Sequence, residues 1–272
     1  MPIITIIQGA FGAGPEIAER VASDLAYRRI DREVLVEASD RYGIPEAKYR
    51  EVLETGPSWW ERWRESLRLY RITLQAAMCE LAQNGDIVYH GHMGQELLPG
   101  IRHVLKVLLT APLEYQVEQV QAREALDEVS ARRYVERVNK GRSARTEAVF
   151  GADWRDASRY DLVLNVGQMT IDTLALLIEE AAGRPEYQKT EDSERSFQDL
   201  SLTAKVQAAL IVSPKTRNLN VRVQGSQGVV RLSGILTQPT LEEDILEVVN
   251  EIPGADSVET DFESPPVEYM FP

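Results

Sequence analysis

The stretch Ile3-Ile4-Thr5-Ile6-Ile7-Gln8-Gly9-Ala10-Phe11-Gly12-Ala13-Gly14-Pro15-Glu16-Ile17 joins a nearly continuous apolar run to a glycine-rich loop and then to a helical pattern. An apolar run of this length suits a strand buried on both faces, as in a parallel sheet covered by helices. Pro15 fits the first turn of a helix, and Ile17, Ala18, Val21 and Leu25 follow at helical spacing. Strand, glycine turn and helix open an α/β domain. Further buried strands are expected over residues 27–31, 86–91, 104–111 and 161–166, each separated from the next by helical pattern. Five strands with helical crossovers imply a doubly wound parallel sheet.

Outside this core, Trp60, Trp63, Leu67, Tyr70, Leu74 and Leu81 line one face of a long helical insertion, a face that is core or a homodimer interface. Thr170 is the expected N-cap of a last helix running to about Ala182. Residues 183–196 are polar and charged, the composition of a linker. Beyond it a helix through Leu200, Val206 and Leu210 leads to two alternating runs around Gly225 and Gly228, then to a helix over 241–249 and a strand over 257–262. This reads as an α-β-β-α-β module with one buried hairpin face.

The 272 residues suggest about two domains, and 43% hydrophobic content with 27% charged residues is that of a folded chain. The 43 acids against 30 bases leave a net charge of -13, which argues against a nucleic-acid partner, since that affinity comes from Lys and Arg on phosphates. Residues 191–272 hold 14 of the acids and 6 of the bases, so the acidity is concentrated in the small module. The single cysteine, Cys79, makes neither an intramolecular disulfide nor a thiolate cage. The N-terminus lacks the basic region and cleavage site of a secretory signal, and no apolar run approaches the ~20 residues of a transmembrane segment. A cytoplasmic chain is expected. His90, His92 and His103 have no metal-ligand spacing, and no structural metal is expected.

Gly9 and Gly14 stand at Walker A (P-loop) spacing, where successive N–H groups and a helix N-terminus face an anion. Where that motif needs Lys and Ser or Thr, the chain has Pro15 and Glu16. Pro15 supplies neither charge nor N–H, and Glu16 repels a phosphate. Two readings stand: a tight turn whose anion site is filled by its own glutamate, or weakened nucleotide binding.

The loop, with the runs 17–25 and Arg29-Ile30-Asp31-Arg32-Glu33, resembles the start of the cytidylate kinase-like family. The resemblance continues through Gly91-His92-Met93-Gly94-Gln95, Ala111-Pro112-Leu113-Glu114, Phe150-Gly151-Ala152-Asp153-Trp154 and Tyr160-Asp161-Leu162-Val163-Leu164-Asn165. It covers about residues 1–182 and implies a P-loop nucleoside monophosphate kinase fold: a five-stranded parallel sheet flanked by helices. It also implies nucleotide binding by Gly9, Ala10, Phe11, Gly12, Ala13, Gly14, Asp31 and His92, with ATP and a CMP-like acceptor as ligands. Position 92 is an arginine in the family and position 139 is acidic; here they are His92 and Asn139. With Pro15 and Glu16 these departures all touch the phosphate or metal part of the reaction, where charge placement carries catalysis.

Arg132, Arg133, Arg137, Lys140, Arg142 and Arg145 form a basic segment with one acid, Glu136. The resemblance places it as a mobile lid, and Arg133, Arg137, Lys140 and Arg142 as the catalytic phosphate clamp; the other reading is a solvated face. Arg64, Arg68 and Arg71 beside Trp59, Trp60 and Trp63 are either a base-stacking and phosphate-binding stripe or an amphipathic helix with its tryptophans packed inward. Asp31, at a strand end, is placed to hold Mg²⁺ through water or a ribose hydroxyl, or else to cap the helix near Glu33.

Residues 199–262, with Val221-Arg222-Val223, 228–234 and 253–258, resemble a BON domain, a non-catalytic module that binds ligands, membranes or proteins. The expected organisation is a kinase-like domain at 1–182, a linker at 183–198, a BON domain at 199–264 and a tail at 265–272. The leading expectation is a pseudokinase: a nucleotide-binding protein impaired in phosphoryl transfer that couples its ligand to an unknown partner of the BON domain. The alternatives are an active atypical (d)CMP or nucleoside monophosphate kinase using ATP with Mg²⁺, and a non-catalytic scaffold with an empty P-loop.

Overall fold

The computed structural model describes residues 2–9, 12–49, 60–91 and 93–265, apart from the side chains of 60–66 and Arg145. Strand β1 (Ile3–Gln8) is followed by α1 (Gly14–Leu25), β2 (Arg28–Ile30), α2 (Glu33–Tyr42), α3 (Trp60–Leu81), β3 (Ile87–His90) and the single-turn α4 (Gly94–Leu97). Then come β4 (Val104–Thr110), α5 (Leu113–Glu124), α6 (Glu128–Phe150), β5 (Leu162–Asn165) and α7 (Ile171–Ala182). These five strands form a parallel sheet in the order β2-β3-β1-β4-β5. Placement at the centre explains the apolar run of β1: Ile3, Ile4, Ile6 and Ile7 are at most 5% exposed. The chain leaves β1 for the edge at β2, returns through β3 and then crosses to β4. The order therefore reverses at β1, and the crevice beyond its carboxyl end is the place where such sheets bind ligands.

One face of the sheet is covered by α1 and α7, where Ile17 and Val21 share a core with Leu174 and Ile178. Thr170 caps α7, its hydroxyl accepting from the Thr173 N–H at 3.2 Å, as the spacing predicts. The other face is covered by α2 and α3, and α3 is buried nearly all round from Ile72 to Cys79. Of the expected apolar stripe on α3, Tyr70 and Leu74 are buried and Leu67 and Leu81 half-buried. The tryptophans at 59, 60 and 63, with Arg64 and the dimer face read from them, lie outside the described side chains. Cys79 is buried, and burial pushes its thiol up to about 12.

The stretch read as a linker contains a 3₁₀ turn at Pro185–Tyr187 and then the start of α8 (Glu191–Val212). A capping box fixes that start: Thr190 Oγ1 accepts from Ser193 N–H at 3.2 Å, and Ser193 Oγ accepts from Thr190 N–H at 2.9 Å. Its first-turn acids, Glu191, Asp192 and Glu194, suit the positive end of a helix, although in composition they resemble a linker. After α8 come β6 (Arg222–Ser226), β7 (Val229–Ile235), α9 (Thr240–Asn250) and β8 (Ser257–Glu263). The hairpin β6–β7 turns on Gln227 and Gly228, both at positive φ, and β8 adds parallel to β7.

Two faces of α8 belong to two cores. Phe197, Ala204 and Ala208 are buried with α3 and β3 of the first sheet, while Leu202, Val206 and Leu210 are buried with β6, β7 and α9. Lys205 on α8 pairs with Glu80 of α3 at 2.9 Å, and Arg41 of α2 reaches the same carboxylate at 3.4 Å. Burial pushes Glu80 up, but the hydrogen bond and charge of Lys205, with Arg41, outweigh it and leave the carboxyl below its usual range. Among the described residues no helix is long and apolar enough to cross a membrane.

Candidate functional site

The carboxyl ends of β1, β2 and β3 bring Gln8, Asp31 and His90 to one crevice. Register fixes this: Ile6 pairs with His90, and Ile30 with Tyr89. Of the loop after β1, Gly9, Gly12, Ala13 and Gly14 are described, and Ala10 and Phe11 lie outside the described residues, as does His92. Pro15 sits in the first turn of α1, as expected, and Glu16 beside it is exposed.

Gln8, not Glu16, fills the turn. Its Oε1 accepts the Gly14 N–H at 2.8 Å. A Cβ on Gly12 would lie 2.6 Å from that oxygen, and one on Gly14 2.5 Å from it and 2.8 Å from His90 Nε2. The two glycines thus make room for a side-chain amide inside the loop. The main-chain carbonyl of Gln8 accepts from Arg142 Nη1 at 2.6 Å, so the residue is held from both sides. Gly9 faces Trp154: a Cβ there would be 3.3 Å from the indole. Trp154 is fixed by Nε1 donating to Ser143 Oγ at 3.1 Å and by its carbonyl accepting from Tyr160 O–H at 2.6 Å. Asn139 Nδ2 donates to Gln116 Oε1 at 3.0 Å, and Gln116 Nε2 donates to the Ala111 carbonyl at 2.8 Å. Several of the spaced motifs therefore meet around one loop. Gly94 belongs to the same logic, since a Cβ there would be 2.6 Å from the buried Tyr89 ring.

Asp31 lies just beyond β2. Arg29 grips its carboxylate, with Nε 3.3 Å from Oδ1 and Nη2 close to Oδ2, and His90 Nδ1 stands 3.6 Å from Oδ1. It does not cap α2; instead the Glu33 carboxylate accepts the Asp31 N–H at 2.7 Å. Burial, with the charges of Arg29 and Arg142, holds the His90 imidazole below its usual range, against the opposing pull of Asp31. Beside this pair is a cavity of about 210 Å³, lined by Asp31, Arg32 and His90 among apolar side chains that include Val34, Leu74, Met93 and Phe150. Asp31 is paired with Arg29, Glu16 stands at the position of the P-loop hydroxyl, and among the described residues no group of three His, Cys, Asp or Glu side chains is placed to hold a metal.

The basic segment lies on α6, and at about 100° per residue its members divide between two faces. Ala131, Val135, Asn139, Arg142 and Thr146 face the protein; Ala131 and Val135 pack on α5, and Arg142 reaches Gln8. Arg133, Arg137 and Lys140 share the opposite, exposed face, with Arg137 5.3 Å from the centre of the Tyr134 ring. Arg142 alone of the four expected clamp residues is brought to the loop; Arg132 pairs loosely with Glu114 and Glu128. The sequence does not reveal the roles of Gln8, His90, Gln116 and Trp154: Gln8 and Trp154 lie within motifs, but their contacts with Gly14 and Gly9 follow from no spacing.

Comparison with known proteins matches residues 3–168 to the model of the cytidylate kinase-like family and residues 198–265 to that of the BON domain. A cytidylate kinase of Methanopyrus kandleri is 26% identical over 180 residues, 62% of this chain and 88% of its own length. One from Ignicoccus hospitalis is 26% identical over 174 residues, 61% of this chain and 91% of its own. Among solved structures, an uncharacterized protein from Eubacterium ventriosum covers 66% of this chain and 97% of its own at a TM-score of 0.52 and 19% identity, a likeness of fold alone.

Proposed function

The chain belongs to the cytidylate kinase-like family, and from that premise we propose that residues 1–182 bind a nucleotide, are impaired in phosphoryl transfer, and pass their ligand state to the BON domain at 199–264. The observation that carries this reading is the loop after β1. It keeps an N–H facing inward at Gly14 but has no lysine, a glutamate at the hydroxyl position, and a neutral amide where a phosphate oxygen would sit. Phosphoryl transfer is catalysed almost wholly by positioning and charge, so a nest without its lysine binds more readily than it turns over.

In this reading the cavity beside Asp31 and His90 takes the acceptor, a CMP-like monophosphate, with the apolar walls around its base or sugar. Asp31, oriented by Arg29, accepts a ribose hydroxyl. Arg142 is the cation that meets phosphate at the loop, while Arg133, Arg137 and Lys140 attract anionic ligands through their field. The ligand is ATP or a related nucleotide. The coupling route is α3, which lines the cavity through Leu74 and carries Glu80 to Lys205 of α8.

The second reading, an active atypical nucleoside monophosphate kinase, is favoured by one observation: Arg142 already reaches the loop and would stand in for the missing lysine. Calorimetric titration of CMP, dCMP, AMP, ATP and GTP, followed by chromatography of the mixtures, separates them. The expected outcome is saturable binding with turnover below about 0.1 s⁻¹, against roughly 1–100 s⁻¹ for working kinases. Turnover in that working range overturns impairment, and absence of binding by all five leaves residues 1–182 as scaffold.

A further inference from the structure

The geometry of Gln8 deepens the nucleotide-binding reading and rests on it. Gln8 ends β1, half-buried, with its side chain turned into the loop rather than toward solvent. Its amide oxygen holds the Gly14 N–H at 2.8 Å, a donor that in a phosphate nest faces an anion. The space it fills exists only because positions 12 and 14 lack side chains. Its main-chain carbonyl is held separately by Arg142 at 2.6 Å. Rotating the side chain out therefore breaks one hydrogen bond and leaves the Arg142 contact in place. The acceptor cavity beyond His90 is lined by Asp31, Leu74, Met93 and Phe150, not by Gln8.

We propose that Gln8 is a resident self-ligand of the phosphate nest, so that a triphosphate binds only by displacing it, while a monophosphate enters the Asp31–His90 cavity without competition. Gln8 then sets the nucleotide preference of the resting chain. A neutral amide oxygen is a weaker acceptor than a phosphate oxygen, and a lysine at position 15 would let the phosphate win. With Pro15 and Glu16 at the helix start, the loop lacks the lysine that would favour the phosphate over the amide.

The test is titration of ATP, inorganic tripolyphosphate and CMP into the full-length wild type, Gln8→Ala and Gln8→Glu, with hydrogen exchange at the Gly14 amide followed by NMR. Gln8→Ala is expected to bind ATP and tripolyphosphate about tenfold more tightly, as befits one hydrogen bond, to bind CMP within twofold of wild type, and to exchange the Gly14 proton faster. Gln8→Glu, which puts a charge into the nest, is expected to weaken both polyphosphates at least tenfold. Gln8→Asn, too short to reach Gly14, serves in place of Gln8→Ala if the latter fails to fold. Equal ATP affinity in wild type and Gln8→Ala overturns the proposal and leaves nucleotide binding intact; so does a parallel change in CMP affinity. Failure of every variant to bind any of the three ligands overturns the proposal together with the reading beneath it.

Discussion

His103 shows how much a single buried group weighs in this protein. It precedes β4, its carbonyl accepts the Ile3 N–H at 2.8 Å, its ring is 1% exposed and its centroid is 6.0 Å from that of Phe197. Burial, reinforced by the charge of Lys189, lowers its pKa to about 4. The unfolded chain, with a pKa near 6.5, then binds more protons between pH 4 and 6.5, so stability falls as the pH drops through that window and is fully present above it. The unfolding free energy from urea titrations between about pH 4.5 and 6.5 is expected to rise with pH by up to about 1.4 kcal/mol per unit and then to level off, and His103→Gln is expected to flatten part of the slope. His90 and the Glu80 carboxyl, both depressed, contribute in the same sense. An unchanged slope in His103→Gln would assign the dependence elsewhere. At this scale the sequence is read only in part. The glycines of the loop and Gly94 are visible as residues, but the Gln8 amide and the Tyr89 ring that require them depend on how the loop and α4 fold back. Asp31 stands out in the sequence because it ends a strand; its capture by Arg29, two residues away, does not show there.

Elements were legible wherever their signals are local. The buried run of β1, the Thr170 cap and the β6–β7 hairpin each rest on neighbouring residues, and each forms where the pattern predicts. Helix α8 was half-seen, because Leu200, Val206 and Leu210 mark it while its acidic first turns have the composition of a linker. Its second apolar face, Phe197, Ala204 and Ala208, is completed by α3, more than a hundred residues earlier, and no local pattern announces that. Phe197→Ala is expected to cost about 3–5 kcal/mol, and Val206→Ala, on the other face, about 2 kcal/mol. Both are expected to move one common transition when tryptophan fluorescence and far-ultraviolet dichroism are followed together in urea. Two separated transitions would mean that the helix docks on the first core without sharing it.

For the whole molecule, the core around α3 extends past Ala182 into α8. A chain ending at Ala182 lacks Phe197, Ala204 and Ala208 and uncovers the side of α3 they bury. It is expected to be aggregation-prone in size-exclusion chromatography and to bind a hydrophobic dye, whereas the full chain elutes as one species. A soluble 1–182 chain with an undiminished urea midpoint would contradict this. The same sharing joins the acidic small module to the crevice through α3, with Glu80 contacted from both α2 and α8.

The shared helix also sets a timetable on the ribosome. Every strand of the first sheet has been synthesised by Asn165, yet its core stays unsealed until the chain has grown past Ala208. At ordinary synthesis rates that delay lasts on the order of seconds, during which the bare flank of α3 is exposed in the nascent chain. Chaperone attachment during translation should therefore peak in the interval between the last strand of the sheet and the end of α8, and a pause in translation there would prolong the most vulnerable stage in the life of the protein.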